Sequence, residues 1–300
     1  MRASCVIIVV AVAACGEQRS TPPPQQPYYY GGQQSGGGAP PSSVPPASSG
    51  SPGCNKPART GVHANQRIPI FGKQRSYTLV VPDSYQATTA YPIVFGLHGN
   101  GGNGAGIRAQ LDLERVAQGK AIFVYPDAIG GGWDLDNAAG KNGDVGLFDG
   151  ILAVVQSSFC VDLQRVFIAG FSNGAYMANQ LACRRGSRVR AVATFAGGGP
   201  YENHGSYDES GHLVCPEKSV ASLVVHGLAD SAVAPSEGQK SIDHWTFANR
   251  CSGSTGIQPA GCVAFSGCMQ PVLACKVQGL GHTVWAQGKT LAWSFFDAQR

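Results

Sequence analysis

Residues 165–183 read Arg165-Val166-Phe167-Ile168-Ala169-Gly170-Phe171-Ser172-Asn173-Gly174-Ala175-Tyr176-Met177-Ala178-Asn179-Gln180-Leu181-Ala182-Cys183. The run from Arg165 to Ala169 is short, apolar and closed by a glycine, which is the pattern of a buried strand. The run from Asn173 to Cys183 reads as a helix. Between them lies Gly170-Phe171-Ser172-Asn173-Gly174, a Gly-x-Ser-x-Gly pattern in the strand-to-helix setting that a nucleophile elbow requires. So sharp a turn lifts the serine hydroxyl above the sheet edge, and glycines flank it because side chains would clash. The helix N-terminus behind it offers N–H groups and a positive dipole end to a developing anion. Ser172 is therefore the candidate nucleophile. In a chain with 41 glycines the five-residue pattern also arises by chance, so its place after a strand carries the weight.

A serine hydroxyl is a weak nucleophile without a positioned base. With this elbow the partners follow in the order Ser, acid, His. Val224-Val225-His226-Gly227-Leu228-Ala229-Asp230 reads as a strand and a turn that delivers an acid, Asp230. Gly279-Leu280-Gly281-His282 places a histidine in a Gly-rich loop after a strand over residues 272–277. His282 would take the Ser172 proton and return it to a leaving alcohol, and Asp230 would hold its tautomer. Asp208 and Asp243 are alternative acids, in a long loop and a predicted helix. His204, His212 and His244 are alternative bases, none in a Gly-rich loop after a strand. Two N–H donors are needed for an oxyanion. The expected ones are the backbone of Asn173 and, from Leu97-His98-Gly99-Asn100-Gly101-Gly102, the backbone of Asn100. His98 and His226 read as structural hydrogen-bonders.

The surrounding chain alternates strands and helices. Strands are expected over residues 66–71, 75–81, 92–97, 121–125, 189–195 and 222–225, the first two as a hairpin around Gly72-Lys73. Helices are expected over residues 111–118, 147–155, 236–249 and 290–298, with Asp144 a candidate cap of the second. This repetition implies an α/β fold, a mostly parallel sheet with helices on both faces.

The 300 residues carry 43% hydrophobic and only 13% charged residues, and the net charge is +4. A loop-rich exported protein fits this better than a cytosolic helical one. Lys and Arg are scattered, with no basic run, which excludes nucleic acid as an expected partner. Residues 1–15 begin with Arg2, continue as an apolar run from Cys5 to Ala14 and end in Val12-Ala13-Ala14-Cys15. The run has the length of a signal-peptide core and is too short for a bilayer span. Its end resembles a bacterial lipobox, with Cys15 the lipidated residue; the alternative is an ordinary signal peptide cut near Ala14. Any membrane association would run through that anchor. Residues 16–53 hold nine of the chain's 19 prolines, with Gly36-Gly37-Gly38 and little to bury, so a linker is expected there and a catalytic domain over 54–300. Setting aside Cys5 and Cys15, eight of the ten cysteines remain, with no Cys-x-x-Cys pair to suggest zinc. Four disulfides are the simple reading, and the spacing alone leaves their pairing open.

The His98-Gly99-Asn100-Gly101-Gly102, Gly170-Phe171-Ser172-Asn173-Gly174, His226-Gly227-Leu228-Ala229-Asp230 and Gly281-His282 motifs together resemble carbohydrate esterase family 1. That group includes secreted feruloyl and acetylxylan esterases and lies close to polyhydroxybutyrate depolymerase-like esterases. Further matches are residues 51–57, Gly131-Gly132-Trp133, Phe159-Cys160-Val161-Asp162 and Trp293-Ser294-Phe295-Phe296. The resemblance runs from about Cys54 to the end and is strongest to the feruloyl esterase branch. It implies an α/β-hydrolase fold, ester cleavage with no metal or other cofactor, and the triad named above. It also implies the pairs Cys160–Cys183, Cys54–Cys215 and Cys251–Cys268, leaving Cys262–Cys275. Many relatives carry Trp and Pro directly after the catalytic His-Thr, whereas Thr283-Val284-Trp285 follows His282 here, so the resemblance leaves the acyl pocket open.

Trp133 and Trp285 are candidates for an aromatic wall against a feruloyl ring or a sugar face, with core packing the alternative. The expected substrate is an ester-bearing plant cell-wall polysaccharide. A polyester of hydroxyalkanoate type is the alternative, and a binding lipoprotein without chemistry a remote third. Residues 198–216 form an insertion after a strand that could shape a substrate entrance.

Overall fold

The computed structural model describes residues 50–203 and 205–299. The signal-type segment, Cys15, most of the expected linker and His204 lie outside the described residues. The last linker residues, by contrast, are built into the domain. Gly50 bridges Asp162, and buried Ser51 donates its Oγ to the Phe159 carbonyl at 2.6 Å and accepts from the Val161 N–H at 2.9 Å. Packing thus begins by Gly50, before the expected boundary at 54.

Ten strands form one sheet. In chain order they are β1 (Gly61–Ile70), β2 (Lys73–Val81), β3 (Tyr91–Leu97), β4 (Ile122–Pro126), β5 (Val161–Phe171), β6 (Ala191–Phe195), β7 (Ala221–Gly227), β8 (Gly253–Ile257), β9 (Cys262–Ser266) and β10 (Val272–Val277). Their order across the sheet is β1-β2-β4-β3-β5-β6-β7-β10-β9-β8. From β4 to β10 every neighbouring pair is parallel, and antiparallel hairpins extend both ends. The β1–β2 turn is Phe71-Gly72, both at positive φ, one residue before the expected position and suited to the twist of a two-residue hairpin.

The central strands are buried on both faces, as parallel strands between helical layers must be. On one face lie α3 (Gly143–Ser158), α4 (Asn173–Arg184) and α5 (Pro235–Ala248), closing a core that contains Phe148, Leu181 and Trp245. On the other lie α1 (Gly104–Leu111), α2 (Leu113–Ala117) and α6 (Ala286–Asp297), where the Phe167 and Phe296 rings stack at 4.8 Å. Each large side chain fully removed from water contributes roughly 1.5–3 kcal/mol before entropy is counted. The helix expected over residues 111–118 is two helices, because Asp112 adopts a left-handed conformation between them. Asn142, not Asp144, caps α3; Asp144 is instead buried, ion-paired with Arg75 and accepting the Asp134 N–H at 2.7 Å.

Two of the expected disulfides are corrected. Cys54 pairs with Cys160 and Cys183 with Cys215, in place of Cys54–Cys215 and Cys160–Cys183. The reason is local: the Gly50–Asp162 bridge lays Cys54 against the start of β5, 4.0 Å Cα to Cα from Cys160. Cys183 lies at the end of α4, beside the chain returning toward β7. The structure also pairs Cys251 with Cys268 and Cys262 with Cys275. Mass spectrometry of an unreduced proteolytic digest should join the Cys54 peptide to the Cys160 peptide; a Cys160–Cys183 link would contradict this arrangement.

Candidate active site

The turn from β5 to α4 is as sharp as its sequence demands. Ser172 sits at φ 54°, ψ −123°, a conformation side chains avoid. Such a residue costs about 1–3 kcal/mol and persists only where the surroundings hold it. Here its N–H donates to the Phe195 carbonyl on β6 at 2.9 Å, and its carbonyl accepts from Ala175 at 2.8 Å. Gly174 is required because a Cβ there would stand 2.3 Å from the Leu97 carbonyl oxygen. The first turn of α4 is therefore pressed against the end of β3.

The Asp230 and His282 loops follow β7 and β10 and meet at Ser172. His282 Nε2 lies 2.9 Å from Ser172 Oγ, and its Nδ1 lies 2.8 Å from Asp230 Oδ2. The carboxylate fixes the proton on Nδ1, which leaves the Nε2 lone pair facing the hydroxyl. Asp230 Oδ1 accepts from the backbone N–H groups of Ala232 and Val233, both at 2.9 Å. Burial pushes the carboxyl pKa up, but the bonds from His282, Val233 and Ala232 outweigh it and hold the pKa below the usual value. The Asp230 side chain is fully shielded, whereas His282 is 25% exposed, so a substrate can reach the imidazole and not the carboxylate. His226 is buried behind the acid loop, its Nε2–H donating to the Val233 carbonyl at 3.0 Å and lying 3.5 Å from Asp230 Oδ2.

The loop after β3 borders the same space. A Cβ at Gly99 would sit 3.1 Å from that of Ser172. Among the described residues, the Asn100 and Asn173 N–H groups donate to no acceptor within the chain, so both can serve a substrate oxygen. Trp133 joins their two loops. Its N–H donates to Asn173 Oδ1 and its Nε1–H to the His98 carbonyl, both at 2.7 Å. Its ring packs 4.8 Å from that of His98 and is only 6% exposed, so it lies beneath the loops in the core rather than as an open wall. His98 donates from Nδ1 to the Gly99 carbonyl at 2.7 Å and accepts the Ala128 N–H at Nε2. Burial lowers its pKa, with the Gly99 bond opposing. Trp285 heads α6, half-buried against the core cluster on that face.

The alternative acids, and the alternative bases His212 and His244, go elsewhere. Asp208 accepts backbone N–H groups of Ser210 and His212, and Asp243 accepts from Gln239 on α5. His212 stacks on Phe247. His244 is buried beside Cys215 Sγ, and desolvation brings its pKa down to about 4. The bridging role of Trp133 and the Asn173 side chain carry no sequence signal, because both depend on which loops meet in space.

This sheet, its elbow and the loops at its carboxyl edge define an α/β-hydrolase. An acetyl xylan esterase from Aspergillus awamori shares the fold, with a TM-score of 0.62 over 78% of this chain and all of its own, at 18% identity. No protein-family model matches the chain. The protein named "Probable feruloyl esterase C" of Aspergillus niger is 36% identical over 275 residues, covering 83% of this chain and 91% of that protein. Feruloyl esterase C of Emericella nidulans is 35% identical with the same coverage. The chain belongs to the feruloyl esterase C family and is a carboxylic ester hydrolase.

Trp133→Phe would keep an aromatic ring, though a smaller one, and remove the Nε1 donor. Steady-state kinetics on a nitrophenyl ester should give a kcat lower by about tenfold, the rate equivalent of one hydrogen bond. KM should stay within about threefold if only the reacting geometry loosens. An unchanged kcat would separate Trp133 from the site.

Proposed function

We propose that the protein is an exported serine esterase that releases hydroxycinnamate, feruloyl groups foremost, from plant cell-wall polysaccharide. The observation that carries this reading is the continuous hydrogen-bond chain from Ser172 through His282 to Asp230 at a strained elbow. Ser172 Oγ attacks the ester carbonyl carbon while its proton passes to His282 Nε2. Asp230 stabilises the imidazolium that forms. The tetrahedral oxyanion accepts from the Asn100 and Asn173 N–H groups. His282 then protonates the leaving sugar hydroxyl, and the C–O bond breaks to leave an acyl-Ser172 ester. Water, deprotonated by His282, attacks that ester; the acid departs and the proton returns to Ser172. The names of the relatives support the feruloyl group, and Trp285, three residues from His282, is the candidate aromatic contact for it.

Ser172→Ala should lower kcat on methyl ferulate by about a millionfold. Retained hydrolysis would overturn the assignment, and activity confined to a hydroxybutyrate oligomer would overturn the cell-wall substrate. Export rests on the N-terminal apolar run and four disulfides, which persist in oxidising compartments. We read Cys15 as the lipid attachment point: expressed in a bacterium, Cys15→Ser should move the protein from the membrane fraction to the soluble one. An unchanged distribution would count against lipidation.

A further inference from the structure

Between α4, α5 and the 198–216 insertion lies a cleft of ≈ 420 Å³ whose lining includes none of Ser172, Asp230 and His282. Its walls include Tyr176 on α4, Glu237, Lys240 and Asp243 on α5, and Tyr201 and Tyr207 from the 198–216 insertion. We infer that this cleft binds the carbohydrate part of the substrate, the sugar chain that leaves when the ester is cut. The inference rests on the esterase reading and adds the residues that would recognise the leaving group.

Position is the first argument. Across the sheet the order is β3, β5, β6, β7, β10. The loop after β3 holds the N–H of Asn100, so the carbonyl oxygen points to that side of Ser172. Asp230 and His282 come from β7 and β10, so the oxygen that His282 must protonate lies on the other side. The insertion follows β6, and the three α5 residues lie on the helix after β7; both stand on the leaving-group side. Tyr176 is one helical turn beyond Ser172, and its N–H reaches the Ser172 carbonyl. The cleft thus reaches to within one helical turn of Ser172, on the side where the alcohol would depart.

Construction is the second. The insertion is fastened to α4 rather than hanging over it. Asn179 donates to the Gly198 carbonyl and Gln180 to the Tyr201 carbonyl, both at 2.6 Å. Arg184 pairs with buried Glu202, whose backbone exchanges hydrogen bonds with the Tyr207 hydroxyl. Cys183–Cys215 closes the far end. These ties hold the two outer tyrosines in place, so little ordering entropy remains to be lost on binding. Tyr201 and Tyr207 nonetheless stay 44% and 41% exposed.

Chemistry is the third. Tyrosine faces offer apolar area to the C–H face of a sugar, at a low cost in rotamer freedom. Tyr176 donates to Glu237 Oε2 at 3.1 Å, and Lys240 to Glu237 Oε1 at 2.6 Å, which leaves a row of donors and acceptors for hydroxyl groups. Flat rings with a mixed polar row match a polyhydroxylated chain.

The test compares ferulate esterified to a xylo-oligosaccharide with methyl ferulate. The wild-type protein should have the higher kcat/KM on the oligosaccharide ester. Tyr201→Ala should reduce that preference about tenfold, mostly through KM. Lys240→Ala, on the opposite wall, should reduce it in the same direction without touching the insertion. Calorimetry with the Ser172→Ala protein and an unesterified xylo-oligosaccharide should show binding that the added Tyr201→Ala weakens. Equal losses on both esters, an unaltered preference in both variants, or no binding of the bare oligosaccharide would overturn the inference. Failure to cleave either ester would instead defeat the esterase reading, because the calorimetric arm needs no hydrolysis.

Discussion

The site depends on how closely the first turn of α4 approaches the end of β3. Gly174 lies against the Leu97 carbonyl with no room for a Cβ. That contact forces the chain to reverse between Phe171 and Asn173, and the reversal drives Ser172 into its strained conformation. The same contact brings the loop after β3 beside Ser172, so the loop that carries Asn100 and the turn that carries Asn173 border one space. Trp133 then ties the loops with two hydrogen bonds. A preorganised set of donors need not reorient as charge develops, which is the largest single source of stabilisation in such sites.

Asp230 presents the opposite problem, a charge taken out of water. It is tolerated because its oxygens accept from His282 and two backbone N–H groups. Those bonds outweigh desolvation, so the folded pKa lies below the unfolded one. The group therefore adds stability above its unfolded pKa, and that contribution is lost as pH falls through the lowered folded value. The interaction that orients the base also stabilises the acid loop, with His226 closing it from behind.

Much of this was legible in the sequence. The elbow, the order of acid and base and the alternation of strands and helices are local patterns with a period or a fixed spacing, and Ser172, Asp230 and His282 can be named from them. The features that escaped are contacts between segments far apart in the chain. Trp133 sits in a Gly-Gly-Trp stretch that looks equally suited to a pocket wall, and only the meeting of the two loops makes it a strut. The β8–β9 hairpin escaped for a different reason. Gly253-Ser254-Thr255-Gly256-Ile257 is almost wholly exposed, so no alternation of apolar and polar residues marks it as a strand. The exchanged cysteine pairing belongs with the contacts: Cys54 meets Cys160 only because residues taken for linker pair with Asp162.

Those cysteines also show how rigidity is distributed. Cys160 precedes β5 and Cys183 closes α4, which runs back along the sheet from the elbow. Eleven residues of helix separate Ser172 from Cys183, about 16 Å at 1.5 Å per residue. Both disulfides therefore lie at the edge opposite Ser172, where the segment from Gly50 and the returning insertion join the domain. The other two join the segments around β8, β9 and β10, where the exposed outer strand buries little apolar area. Among the described residues, no disulfide crosses the carboxyl edge itself. There the geometry rests on close packing and on hydrogen bonds such as those from Trp133, which fix the loops without closing them to a substrate.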